Sequence, residues 1–180
     1  MSFINIVTPC SRPESLGAIA DSINIPKNHY RWIVVFDADE VPSVEIPANA
    51  EAHSYHVEGG SAGHAQRNFA NKLIQGGYVL QIDDDTILHP DFWEAVKDCT
   101  EDLVCWKQCH KDGLHRLNAG EWHLGHIDSG SFMADRKVIG DSQWIFNRYD
   151  ADGYFAQEMR AKTESVKTIQ QYLSFYNYLR

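Results

Sequence analysis

The sequence predicts a single α/β domain over residues 1–180, with a mixed, mostly parallel sheet flanked by helices. Three observations predict it. Short apolar runs rich in β-formers, at Phe3–Thr8, Tyr30–Phe36 and Gly77–Ile82, have the length and character of buried parallel strands. Segments with one apolar face fall between them, so strands and helices alternate and need right-handed crossovers. The second and third runs both end in acids, Asp37-Ala38-Asp39-Glu40 and Asp83-Asp84-Asp85, and open α/β sheets bind ligands at the carboxyl ends of their strands.

The first run stops at Pro9. Cys10-Ser11-Arg12 is a loop, and Pro13 and Glu14 suit the first turn of a helix to Ile23, with Leu16, Ile19, Ala20 and Ile23 on its apolar face. Ser11 reads equally as a helix cap or as a ligand contact. After the second strand comes a short third, Ala52–Val57, and then the glycine-rich Gly59–Gly63 feeding a helix from His64 to Gln75. Arg67 lies one turn into that helix, either facing an anion at its positive end or exposed to solvent. Beyond the strand at Gly77–Ile82, a helix is expected from Pro90 to Cys99 with Phe92, Trp93 and Val96 inward.

The second half changes character. Lys111-Asp112-Gly113 between Leu103–His110 and Leu114–Leu117 is a hairpin signal. Glu121–Asp128 reads as a loop, Ser129–Ala134 as a strand, Tyr154–Ala161 as a helix, and Val166–Arg180 as a short strand followed by a tyrosine-rich helix. Residues 1–100 form the expected nucleotide-binding half and 101–180 the acceptor half.

Composition narrows the function classes. At 43% hydrophobic and 23% charged residues the chain is an ordinary globular one. A net charge of −9 argues against non-specific nucleic-acid binding and against an anionic membrane surface. The first residues lack a basic-then-apolar signal, and no apolar run is long enough to span a bilayer, so a cytoplasmic location is expected. Cys99, Cys105 and Cys109 with His110 supply enough ligands for zinc, but without CxxC pairing they read better, like Cys10, as buried free thiols.

Three adjacent carboxylates repel one another unless a cation or solvent compensates them. Taken alone, Asp83–Asp85 reads as a solvated turn or as a site for a hard ion such as Mg²⁺ or Mn²⁺. Such an ion would also let an acidic protein hold a phosphate. Asp37, at the end of the neighbouring strand, could accept a hydrogen bond from the N–H of a base.

Five blocks in order resemble the GT-A fold glycosyltransferases: INIVTPCSRP (4–13), WIVVFDADE (32–40), GHAQRNFAN (63–71), VLQIDDDTILHPD (79–91) and the segment 126–160. The first four are similar to inverting glucuronyltransferase-type enzymes. The last, with Gly130 and Asp152-Gly153-Tyr154, is similar to the broad inverting family that includes polysaccharide synthases. The resemblance implies that Thr8, Pro9 and Arg12 line a nucleoside pocket, that Asp37 accepts from uracil, and that Arg67 contacts uracil or diphosphate. It makes Asp83–Asp85 a DxD motif, with Asp85 the leading ligand for Mn²⁺ or Mg²⁺ and Asp83 or Asp84 reaching metal, ribose or sugar. Asp152 matches the general base, ahead of Asp150 and Asp128, and His126 matches a further contact to metal or diphosphate.

The function so implied is metal-dependent, inverting transfer of a hexose from a UDP-sugar to an acceptor hydroxyl. Glucose is favoured because the further basic residues expected around glucuronic acid have no match. A nucleotidyltransferase, and a nucleotide-sugar or metal-binding module without transfer activity, are the alternatives. The acceptor is not named by the sequence, and a homodimer could complete its cleft.

Overall fold

The computed structural model describes residues 3–58, 62–145, 148 and 150–180. Strand β1 (Ile4–Cys10) is buried along its whole length and lies at the centre of the parallel part of the sheet. It pairs in parallel with β2 (Tyr30–Phe36), which in turn carries β3 (Ala50–Ser54), and on its other side with β4 (Tyr78–Gln81). Alternation along β1 and β2 sends Ile4, Ile6, Trp32, Val34 and Phe36 to one face and Val7, Ile33 and Val35 to the other. Both faces are covered, which is why these strands read as continuous apolar runs. Helix α1 (Leu16–Ser22) and α3 (Phe92–Val96) bury Leu16, Ile19, Phe92 and Val96 on the first face. Helix α2 (His64–Leu73) and α5 (Ala151–Lys162) bury Ala70, Phe155, Ala156 and Met159 on the second.

The second half continues the same sheet. Strand β8 (Phe132–Asp135) inserts antiparallel between β4 and β6 (Leu103–His110), and β7 (His115–Leu117) folds back on β6 through the expected turn at Gly113. The path is β3-β2-β1-β4-β8-β6-β9-β5, where β5 is Ile87–Leu88 and β9 is Val166–Tyr176. The carboxyl ends of β1, β2 and β4 therefore share one edge, with the two acidic clusters on it.

Several elements differ from the sequence reading. The tyrosine-rich helix is absent: β9 runs on to Tyr176, parallel to β6. Tyr172, Phe175 and Tyr176 have helical spacing, but they are also β-formers beside an open strand edge. In the strand, Lys107 lies over the Tyr172 ring and Arg116 over the Tyr176 ring, so tertiary contacts decide the outcome. Helix α5 begins at Ala151 rather than Tyr154, with Asp150 at the position before its first turn and Asp152 within that turn. Residues 129–131 form a 3-10 turn capped by Asp128 instead of the start of a strand. Strand β5 and the single-turn α4 (Arg136–Ile139) are too short to leave a periodic signal. All four cysteines are buried free thiols, and Cys99 and Cys105 pack into cores on opposite faces of the sheet, so the zinc set is not gathered. Among the described residues no helix is long and apolar enough to cross a membrane.

Thr8 is a further correction. It was expected in the nucleoside pocket, but strand alternation places it on the face of Ile4 and Ile6. It is fully buried, and its hydroxyl accepts the Trp32 indole N–H at 3.0 Å. Thr8→Val keeps the shape and orphans that donor, which costs about 1–3 kcal/mol. Urea denaturation should show that loss, with Trp32→Phe partly suppressing it in the double variant.

Candidate active site

The site begins with a brace between two strand ends. Asp84 is buried, and its Oδ2 accepts the backbone N–H of Ser11 at 2.6 Å, the Ser11 hydroxyl at 3.0 Å and the backbone N–H of Arg12 at 2.8 Å. Its Oδ1 accepts Arg12 Nε at 3.0 Å and is also paired with Arg12 Nη2. Burial alone would raise the Asp84 pKa, but the Arg12 guanidinium and the Ser11 donors outweigh it and hold the carboxyl below its ordinary value. Ser11 is therefore not a helix cap. Asp84, expected at ribose or sugar, has its oxygens engaged in holding the loop after β1 against the end of β4.

The neighbours of Asp84 face other arginines. Asp83 pairs with Arg67 Nη2. Withdrawal from bulk water raises the Asp83 pKa, Arg67 opposes this, and the like charges of Asp128 and Asp85 add to it. Asp85 is buried, and its Oδ2 meets Arg12 Nη2 at 3.0 Å and Arg180 Nε at 2.5 Å. A carboxylate out of water needs such partners. Asp85 Oδ2 is thus shared by two guanidinium groups, which any cation bound to that oxygen would have to displace.

Arg67 is held by the entry to α2. Gly63 precedes the helix with φ +80°, and a Cβ there would lie 2.8 Å from Pro9 Cβ. Only glycine allows β1 and α2 to approach so closely. Arg67 Nη1 donates to Ala62 O at 3.1 Å, and its guanidinium lies 4.7 Å from the Trp144 ring centroid. His64 stacks on the same indole, and burial together with Arg67 lowers its pKa to about 4, so it is a neutral imidazole at neutral pH. Cys10 is no nucleophile, because burial, with Asp84 adding, pushes its thiol up to about 12.

Pro9, Arg12, Asp37, Arg67, Asp83, Asp84, Asp85 and Asp152 all border one open cleft of about 590 Å³. That volume suits a small-molecule or cofactor site. Asp37 keeps a partner there, His56 Nδ1 at 3.1 Å. The three acids weighed as general base are separated by their surroundings. Asp150 is exposed and forked by Arg148 at 3.1 and 3.2 Å, which lowers its pKa. Asp128 pairs with Arg116 at 3.1 Å and caps the 3-10 turn through Gly130 N at 2.9 Å. Asp152 accepts only the Gly153 N–H, at 2.7 Å, among its described side-chain partners. Burial first, and the Asp128 charge second, raise its pKa to about 6. A carboxylate with that affinity for a proton can take one from a hydroxyl near neutral pH and release it again.

Arg116 and Arg180 are cleft residues that the sequence reading missed. Arg116 is fixed under the Tyr176 ring at 3.5 Å, and Leu179 N donates to Asp85 O at 3.2 Å, so β9 carries the chain back to the acids. No local pattern marks either arginine: Arg116 is carried in by the antiparallel pairing of β7 with β6, and Arg180 by the parallel pairing of β9 with β6. His126, expected near metal or diphosphate, pairs instead with Glu121 Oε2 at 2.8 Å in an exposed turn.

No family model matches the chain, and neither does any curated protein. Among solved structures, S. aureus TarS 1–349 superposes with a TM-score of 0.76 at 14% identity, covering 96% of this chain and 60% of that one. The complex of TarS 1–349 with UDP-GlcNAc gives 0.76 at 15% identity, with 96% and 58% covered. The mannosyltransferase PcManGT from Pyrobaculum calidifontis, in complex with GDP-Man and Mn²⁺, gives 0.64 at 12% identity, with 94% and 55% covered. The likeness is one of fold, and the chain spans about three-fifths of the length of TarS 1–349.

The raised Asp152 pKa has a consequence for stability. The folded protein holds this proton more tightly than the unfolded chain, whose aspartates titrate near about 3.9. The stabilisation is present below that value and is lost as pH rises through about 6. Asp152→Asn cannot ionise, so at pH 8 it should be more stable than the parent by about 1–2 kcal/mol. Urea melts should show that gap closing toward pH 4.

Proposed function

We propose that the chain is a metal-dependent, inverting glycosyltransferase that moves a hexose from a UDP-sugar to an acceptor hydroxyl. The observation that carries the reading is the pairing, in one cleft, of a carboxyl near neutral pKa (Asp152) with the acidic and arginine cluster of Asp83, Asp85 and Arg67. The UDP-GlcNAc bound by TarS and the GDP-Man with Mn²⁺ bound by PcManGT support a nucleotide-sugar donor. In this reading residues 1–100 hold the donor and 101–180 supply the acceptor side. Glucose is favoured over glucuronic acid only while further basic residues are absent around the sugar. Arg116 and Arg180 line the cleft and remove that ground, so glucose, glucuronic acid and N-acetylglucosamine are the donors to test first.

The donor set fits a hard divalent ion. Aspartates outnumber arginines in the cleft lining, and Asp85 already draws two cationic side chains. Asp85, with Asp83, would hold Mn²⁺ or Mg²⁺. When bound, the ion would offset the negative charge that develops on the departing UDP. Arg67 adds a fixed positive charge to the same task. Pro9 and Arg12 border the nucleoside, and Asp37 accepts from the uracil ring. Asp152 removes the proton of the acceptor hydroxyl, whose oxygen forms the new bond to the anomeric carbon as the bond to UDP breaks on the opposite face. The configuration inverts.

A second reading is a nucleotide-sugar-binding module without transfer. Incubation with Mn²⁺ and a panel of nucleotide sugars separates the two. The enzyme reading expects UDP release from one donor, abolished by Asp85→Ala. Asp152→Asn should keep UDP binding and lose about 10²–10⁴-fold in rate. The parent rate should climb with pH through about 6 as Asp152 ionises, and the variant should lack that limb. Absence of UDP binding by calorimetry, with and without metal, defeats both readings; binding without transfer or donor hydrolysis leaves the module.

A further inference from the structure

The turn Glu121-Trp122-His123-Leu124-Gly125-His126 gathers three metal-ligating side chains that the cleft chemistry does not use. Trp122 points inward, its ring 5.6 Å from that of Phe132, and leaves its neighbours Glu121 and His123 on the outer side. The His126 N–H donates to His123 O at 3.0 Å, and Gly125 takes φ +79°, so the chain reverses within three residues. The reversal brings the His123 and His126 rings to 4.3 Å between centroids. Glu121 Oε2 lies 2.8 Å from His126 Nδ1, while its Oε1 accepts Asn118 Nδ2 at 3.0 Å. One ligand atom from each of Glu121, His123 and His126 falls within 4.8 Å of the other two.

We infer that Glu121, His123 and His126 bind a transition-metal ion of the zinc type. Ligand atoms on a tetrahedral zinc stand about 3.3 Å apart, given bonds of about 2.0–2.2 Å. Both imidazoles are exposed and free to rotate by the small amount required. Two imidazoles and one carboxylate suit Zn²⁺, Ni²⁺ or Cu²⁺, whereas the carboxylates at Asp83 and Asp85 suit Mg²⁺ or Mn²⁺. The two places therefore select different ions. Asn118 is the outer partner that orients the carboxylate ligand. Three protein ligands leave a fourth position to water.

The ion would stiffen one wall of the cleft. Leu124, between the two histidines, packs on the first turn of α5: a Cβ on Gly153 would lie 2.7 Å from Leu124 Cδ2 and 3.0 Å from its Cα. Gly153 follows Asp152. On the other side, Gly125, Ile127 and Asp128 border the cleft. Metal binding at the turn thus bears on the segment that carries Asp152.

The test uses the whole chain, freed of metal by a chelator and kept in excess Mg²⁺ to satisfy the carboxylate site, with Zn²⁺ as the titrant in calorimetry. One Zn²⁺ site is expected, weakened at least about tenfold by His123→Gln or His126→Gln and unaffected by Asp85→Asn. Co²⁺ in place of Zn²⁺ should give the visible absorption of a tetrahedral site, lost in the double variant His123→Gln/His126→Gln. Both histidines are exposed, and thermal unfolding checks that the variants fold. No Zn²⁺ binding by the parent, equal affinity in the double variant, or loss of the site in Asp85→Asn each overturns the inference. None of these readouts depends on sugar transfer, so they succeed or fail independently of the proposed activity.

Discussion

Asp84 holds the cleft together. Its carboxylate lies at the end of one buried strand and takes its hydrogen bonds from the loop that follows another. The two strands are fixed to each other by the parallel ladder, so the brace adds no new alignment to the sheet. It sets the loop, and through Arg12 it sets the charge offered to Asp85. Had Asp84 remained free, Asp83, Asp84 and Asp85 would repel one another in a poorly solvated place, and at least one would hold its proton. Committing the middle acid to structure lets the outer two turn to either side, Asp83 toward Arg67 and Asp85 toward Arg12 and Arg180.

This arrangement makes the cleft a balance of charges assembled from distant parts of the chain. Arg67 comes from a helix that can approach only because Gly63 lacks a side chain. Arg180 comes from the segment after β9, and Arg116 from the hairpin partner of β6. Asp152 stands in the same field with no arginine hydrogen-bonded to it among the described residues, and its proton affinity rises while those of Asp84 and Asp150 fall. Neighbouring acids of one chemical type are thus given different work by burial and by pairing.

The first half of the chain was largely legible in the sequence, because buried parallel strands are continuous apolar runs and their acidic ends share one edge of the sheet. Strand β9 was not: Tyr172, Phe175 and Tyr176 fit helical spacing and strand propensity alike, and only the open edge of β6 decides between them. Most of the expected site residues meet in the cleft, since their positions follow from strand ends. Thr8 does not, because one step in strand alternation moves a side chain from the cleft to the core. Arg180 was invisible for a different reason: its place depends on the pairing of β9 with a strand far away in sequence, while Arg116 comes from a hairpin whose turn was legible but whose facing side was not.

In the proposed reading Asp85 is the metal position, its carboxylate paired with Arg12 and Arg180 until a divalent ion and a nucleotide diphosphate arrive. Crystals grown with Mn²⁺ and UDP, measured at the manganese absorption edge, test it most directly. The expected result is an anomalous peak bonded to Asp85, with the Arg180 guanidinium moved off that carboxylate and Asp84 still bonded to Ser11 and Arg12. An Arg180–Asp85 pair unchanged beside bound UDP, with no manganese at Asp85, would contradict it.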